Sequence, residues 1–175
     1  TVGLMSLAAC ARSTSTSGTM MSTAAPSPDP RVGLAAGKMN AAEAVWNLRV
    51  VSRTAPPQAF VDGVNSDLAF TGRYVIQGSF NGWQIWDIGN PSQPTLRTAY
   101  VCPASQSDVS VYKNLLFISG EDLGARIDCG TQGVREAVSK DRQRGIRIFD
   151  ISDIDHPRNV GNVQTCRGSH TLSLL

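Results

Sequence analysis

The sequence predicts an all-β fold built from two successive four-stranded units. The first observation is an internal repeat, because residues 66–70 (SDLAF) recur 41 positions later as residues 107–111 (SDVSV). The second is a longer match at an offset of 63, between residues 82–88 (GWQIWDI) and residues 145–151 (GIRIFDI). A unit of short β-like segments that repeats at a fixed period is typical of repeat architectures.

Each copy contains four β-like segments separated by turn residues. The copies close with Pro-containing turns at residues 90–94 and 155–157, and one more β-rich segment follows each turn. Four short strands in about 40 residues predict the antiparallel blade of a β-propeller. We therefore expect blade one at 60–102, blade two at 103–166 and the start of a third blade at 167–175.

The composition restricts the class of protein. The 175 residues are 41% hydrophobic and 17% charged, with a net charge of +2, which is typical of globular domains. The sequence contains no run of 18 or more apolar residues, so no membrane-spanning helix is predicted. No basic patch of the kind that binds phosphate backbones is present, so we expect no nucleic-acid partner.

The region before the blades predicts export and anchoring. Residues 7–10 (LAAC) resemble a bacterial lipobox, in which Cys10 would accept the lipid, so residues 1–10 are interpreted as a truncated lipoprotein signal segment. Residues 11–36 are rich in Ser, Thr and Pro, which predicts a disordered, flexible tether. The chain begins with Thr1 and ends within a β-like segment, so we expect a fragment cut at both ends.

Residues 37–59 predict one short helix and a strand. Asn40 and Glu43 have the spacing of a capping box, and apolar residues follow up to Leu48, so a helix is expected at 37–48. Residues 48–52 (LRVVS) are β-like and are followed by Pro56 and Pro57.

The segments IWDIGNPSQP and IFDISDIDHP resemble the LVIVD repeat of predicted bacterial β-propellers. The resemblance covers about residues 60–175. Within that range the sequence is similar to bacterial secreted or lipoprotein members of the family. It implies the repeat architecture and no particular reaction. The pair Trp86-Asp87 also resembles WD40 repeats, but the second copy has Phe149-Asp150 and neither unit opens with Gly-His.

Several notable side chains have a structural interpretation. Asp87 and Asp150 each end a strand before a Pro turn, where an Asp accepts backbone N–H bonds in an Asx-turn. Trp83, Trp86, Ile146 and Phe149 alternate along the third strands and are expected in the core rather than on an aromatic binding platform.

The 22 extra residues of the second copy lie within residues 121–144, between its second and third strands. Ten of the 30 charged residues of the chain fall there, which predicts a solvated loop. In a propeller this loop shares one end of the blades with the blade junctions. We place the candidate binding face at this end, with Asp108, Arg167 and His170; alternatively, the loop only covers an edge or contacts a neighbouring loop.

Three cysteines remain if Cys10 carries the lipid, and an exported protein is expected to pair two of them. Cys129 is predicted to bond Cys102 or Cys166, with Cys102 slightly favoured. No zinc-type spacing of Cys and His occurs, and Glu121, Asp122 and Asp128 lack the regular spacing of a calcium loop. We expect no metal and no cofactor.

These features favour a binding or scaffolding module of the bacterial cell envelope, whose partner is an unknown protein or small molecule. The membrane is expected to be contacted only through a lipid anchor. The alternative is a hydrolase or oxidoreductase, with its site at the central channel and completed by further blades. No catalytic residue is assigned.

Overall fold

The computed structural model describes residues 21–37 and 40–174. The chain divides into two compact units, residues 1–50 and 51–175. In the described part of the first unit the chain forms bends and turns, without a helix or strand, and nearly every residue is exposed. Cys10, the LAAC segment and residues 11–20 of the expected tether lie outside the described residues.

The second unit contains two four-stranded antiparallel sheets, as predicted. A short 3-10 helix at Gln58–Phe60 precedes them. Blade one comprises β1 (Asn65–Thr71), β2 (Tyr74–Ser79), β3 (Gly82–Asp87) and β4 (Thr95–Val101). Blade two comprises β5 (Val109–Tyr112), β6 (Leu115–Gly120), β7 (Gly145–Asp150) and β8 (Arg158–Gln164). In both sheets the strands lie in sequence order, each antiparallel to the next.

The two blades pack face to face around one hydrophobic core. Blade one contributes Ile76, Trp83 and Ile85, and blade two contributes Leu116 and Phe149, all of them fully buried. These side chains alternate along their strands, so each blade presents one apolar row to the other. The sheets approach most closely along their first strands, β1 and β5.

An aromatic cluster forms the centre of this core. The ring of Trp83 is stacked on that of Tyr100 at 5.0 Å between centroids, and Phe149 contacts both rings edge-on from the other blade. Trp86 is also buried, but it lies on the opposite face of blade one. Ile146 is half-buried on the opposite face of blade two.

The turn between second and third strands needs glycine in both blades. Gly82 and Gly145 occupy equivalent positions with φ of +137° and +136°. A Cβ at either position would collide with the carbonyl oxygen of Tyr100 or Val163 on the neighbouring strand. Close backbone approach therefore accounts for the repeated glycine.

The prediction of a helix at 37–48 is wrong for the part of that segment that the structure describes. Residues 40–48 form no helix, and Val45, Trp46 and Leu48 are 45–79% exposed. A capping box stabilises a helix start only slightly, and so short a helix forms only where its apolar face is buried. The strand expected at 48–52 is also absent.

The expected start of a third blade forms no strand within residues 167–174. A strand requires a neighbouring strand for its backbone hydrogen bonds. Instead, Ser169 donates its backbone N–H to the carbonyl of Gly120 at 3.0 Å, which holds this segment against blade two. No helix in the described part of the chain is long and apolar enough to cross a membrane.

Candidate functional site

One end of the two blades carries most of the irregular chain, and we call it the junction end. It contains the blade junction 102–108, the long loop 121–144 and residues 165–170. Antiparallel topology brings these segments together, because the first strands begin and the second and fourth strands end there. The expectation that the long loop shares an end with the junctions is confirmed.

A disulfide fastens the long loop to the junction. Cys102 and Cys129 are bonded, with their Cα atoms 4.3 Å apart, whereas Cys166 is free and exposed. This is the pairing that the sequence slightly favoured. Cys166 is displaced by one residue from the position equivalent to Cys102, because Thr165 repeats the backbone bond that Cys102 makes to the preceding turn.

Two arginines brace the loop by binding carbonyl oxygens. Arg142 donates to the carbonyls of Leu123, Glu136 and Ala137 within the loop. Arg144 donates to the carbonyls of Glu121, Cys166 and Arg167, and so ties the base of the loop to residues 165–170, which we call the second junction. These two guanidinium groups hold the loop in place, Arg142 from within it and Arg144 at its base.

Four titratable side chains converge beside this brace: Asp67, Asp108, Glu121 and His170. We call them the acidic cluster. His170 Nδ1 lies 2.7 Å from Glu121 Oε1. Asp67, on blade one, contacts blade two through its carboxylate, which accepts the backbone N–H of Val109 at 3.3 Å.

Ser119 holds the backbone of two cluster members at once. Its Oγ accepts the N–H of Asp108 at 2.9 Å and donates to the carbonyl of His170 at 2.8 Å. Ser119 is itself fully buried at the end of β6. The start of β5 and the second junction are therefore fixed relative to each other by one hydroxyl.

The surroundings of Asp108 favour its protonated form. Partial burial raises the pKa of Asp108, and the nearby carboxylates of Asp67 and Glu121 raise it further, whereas His170 acts in the opposite direction. Three carboxylates against one imidazole give the cluster an excess of negative charge.

The structure thus brings together two of the three residues predicted for the binding face, Asp108 and His170. Arg167 is exposed, and its carbonyl is held by Arg144. Sequence reasoning missed Asp67 and Glu121 as neighbours of Asp108. The sequence does indicate Asp67, because it precedes Asp108 by the 41-residue offset of the repeat, whereas Glu121 lies in the insertion and has no counterpart in blade one.

Among residues 21–37 and 40–174, no group of three or more His, Cys, Asp or Glu side chains has a geometry that could hold a metal ion. The two Asp residues at the opposite end form the expected Asx-turns. Asp87 Oδ1 accepts the N–H of Gly89 and Asp150 Oδ1 that of Ser152, both at 2.9 Å. Asp87 also pairs with Arg73 at 2.8 Å.

The comparison with known families decides what kind of repeat this is. Residues 62–101 match the LVIVD repeat. The matched LVIVD repeat spans strands β1 to β4, and blade two repeats the same strand order and the same Gly82-type turn. The chain therefore contains a repeat module of the β-propeller type. No curated protein and no solved structure matches the chain at a significant level.

Proposed function

We propose that this LVIVD module is part of a binding protein of the bacterial cell envelope, and that its ligand is recognised at the acidic cluster of the junction end. The observation that carries the proposal is the convergence of Asp67 and Asp108 from equivalent positions of adjacent blades. Equivalent first-strand positions of successive blades surround the axis of a propeller, where ligands bind.

The chemistry of the cluster favours a ligand that is cationic or rich in hydrogen-bond donors. Its carboxylates are acceptors, and His170 is already paired with Glu121 at 2.7 Å. The scaffold beneath is rigid, because Ser119 and Arg144 fix the segments that carry the cluster. Loops on a rigid scaffold are common places for binding sites.

Two features support a location in the cell envelope. The LAAC segment has the pattern of a lipobox and is followed by a Ser-, Thr- and Pro-rich stretch. The Cys102–Cys129 disulfide is the kind of bond that forms in oxidising compartments.

An enzyme remains the second candidate, and one observation favours it. A carboxyl with a raised pKa, Asp108, lies next to the His170–Glu121 pair, an arrangement that can supply a general acid or base. In that case a hydrolase or oxidoreductase site would be completed by further blades around the axis.

Binding is tested with a fluorescent tetralysine peptide as the cationic probe, followed by fluorescence anisotropy at low ionic strength. Asp67→Asn and Asp108→Asn should each weaken binding about three- to tenfold. Asp153→Asn removes the same charge at the opposite end of the blades and is the matched control. Equal affinity in all four proteins would contradict the proposed site.

A further inference from the structure

Arg147 is a buried cation without a counter-ion among the described residues. It lies on β7 between the blades, on the same face as Phe149, and is 2% exposed. Its Nη2 donates to the carbonyl of Arg126 at 2.8 Å, but Nε and Nη1 are buried without a hydrogen-bond partner. Burial lowers the pKa of Arg147 to about 10, which still leaves it charged at neutral pH.

The long loop 121–144 contacts this guanidinium on one side. Nη1 lies 3.4 Å from the position that a Cβ on Gly120 would occupy, where the loop begins. The carbonyl that binds Nη2 belongs to Arg126, three residues before Cys129. Within the loop, Ile127 donates to the carbonyl of Asp141 at 2.8 Å.

The covalent attachment of this part of the loop is the bond from Cys129 to Cys102. Cys102 is buried at the end of blade one, whereas Cys129 is only half-buried, so a reductant reaches Cys129 more readily than Cys102. A buried charge without a partner favours any movement that hydrates it. The disulfide therefore opposes the hydration of Arg147.

We propose that the Cys102–Cys129 disulfide is a redox latch, which holds loop 121–144 closed over Arg147 and releases it on reduction. In the open state water reaches the guanidinium from the side that loop 121–144 contacts in the closed state. The proposal is independent of the ligand suggested for the acidic cluster.

The chemistry requires a dithiol reductant. One of its thiolates attacks Sγ of Cys129, the S–S bond breaks, and Cys102 leaves as a thiolate that takes up a proton. The second thiol of the reductant then displaces Cys129 from the mixed disulfide. The reductant is thereby oxidised by two electrons to its disulfide, and the protein disulfide is reduced to two thiols.

Hydrogen–deuterium exchange of the Cys166→Ser chain, with and without dithiothreitol, tests the latch. Cys166 is replaced to prevent mispairing. Amides of residues 122–143 should exchange at least tenfold faster after reduction. Arg147→Met should reduce that acceleration to about twofold or less, because no charge then drives the loop open. Arg158→Met, at an exposed arginine of the opposite end, should leave the tenfold acceleration unchanged.

Arginine modification by phenylglyoxal gives a second measurement that does not depend on Arg147→Met folding. Arg147 should be protected in the oxidised chain and modified in the Cys102→Ser/Cys129→Ser variant, whereas Arg158 reacts in both. Protection of Arg147 in both forms, or an equal exchange response in Arg147→Met and the parent chain, would overturn the proposal.

Discussion

Asp108 lies where partial burial and the charges of Asp67 and Glu121 act together. Because these effects raise the pKa of Asp108, the folded state binds a proton at this group more readily than the unfolded state does. The stability that this group contributes is present at low pH and is lost as the pH rises through the raised pKa. At neutral pH the ionised carboxylate is therefore a net cost.

We expect Asp108→Asn to stabilise the chain at pH 7 by a few tenths to about 1 kcal/mol, the range of partly screened charge interactions. The gain should vanish near pH 3, where the carboxyl is protonated in both states. Thermal melts across this pH range measure it. Asp153→Asn is the control in which the opposite effect is expected, a loss of stability at pH 7, because the His156 side chain holds the pKa of Asp153 below its usual value. A gain in stability at pH 7 in both variants would argue against this explanation.

At the other end of blade two, Asp150 has a lowered pKa, so its contribution to stability depends on pH in the opposite sense to that of Asp108. The backbone N–H of Ser152, together with the Ser152 and Asn114 side chains, lowers the pKa of Asp150 to about 2. Its stabilising effect is thus present above the unfolded pKa and is lost as the pH falls from about 4 to about 2. Asp150→Asn should lower the melting temperature at pH 7, and the deficit should shrink over that acid range. A deficit of constant size would show that the charge is irrelevant.

At the scale of the elements, the repeat was enough to predict both blades. Glycine at 82 and 145, and the alternating rows that include Ile85 and Phe149, are required by local backbone and packing geometry, so they recur at fixed offsets. The helix at 37–48 could not be decided in this way. Its formation depends on a surface that buries Trp46, and a sequence pattern does not reveal whether such a surface exists.

The acidic cluster was predicted only in part for a related reason. Asp108 and His170 stand at junctions whose position follows from the blade topology. Glu121 belongs to an insertion without a counterpart in blade one, so no repeat indicated that it turns towards His170. The bracing of that insertion by Arg144 became visible only in three dimensions.

The disulfide should contribute strongly to the stability of this insertion. Cys102 and Cys129 are 27 residues apart in sequence, and closing such a loop in the unfolded chain corresponds to about 3.5 kcal/mol in the entropic model. Cys102→Ala/Cys129→Ala should lower the urea midpoint accordingly. Cys166→Ser, which removes an exposed free thiol, should leave the midpoint unchanged; an equal loss in both variants would refute the assignment.

At the scale of the whole molecule, anchoring is tested through Cys10. If residues 7–10 are a lipobox, the precursor should partition into the membrane fraction and carry a lipid mass on Cys10. Cys10→Ser should block its processing or release it. Mass spectrometry of the N-terminal peptide measures the modification. A soluble mature protein that begins well after Cys10 would refute the anchor, and Cys166→Ser controls for a general effect of cysteine loss.

The two outer faces of the blade pair are complementary to each other, because each carries residues equivalent to those on one side of the interface between the blades. On blade one, Leu68 and Phe70 are 51% and 65% exposed, and they occupy the positions of Val109 and Val111, which pack against the core. Blade two leaves Ile148 half-buried on its free face, at the position of the buried Ile85. Each free face thus repeats one side of the interface that joins the blades, so a further blade of the same kind fits either face.

In solutions of this chain, the surface that matches each free face is carried by another copy, so we expect head-to-tail association rather than a symmetric dimer. Phe70→Glu removes the blade-one face, and Ile148→Glu removes the blade-two face. Each variant alone should be monomeric in sedimentation velocity, whereas an equimolar mixture should form heterodimers that grow no further, because each pair retains one intact interface. Val138→Glu, at a loop residue that is 93% exposed, should associate like the parent chain. A monodisperse, cooperatively unfolding monomer at high concentration would show that residues 52–56, which border a groove of about 380 Å³ on the blade-one face, already shield it sufficiently.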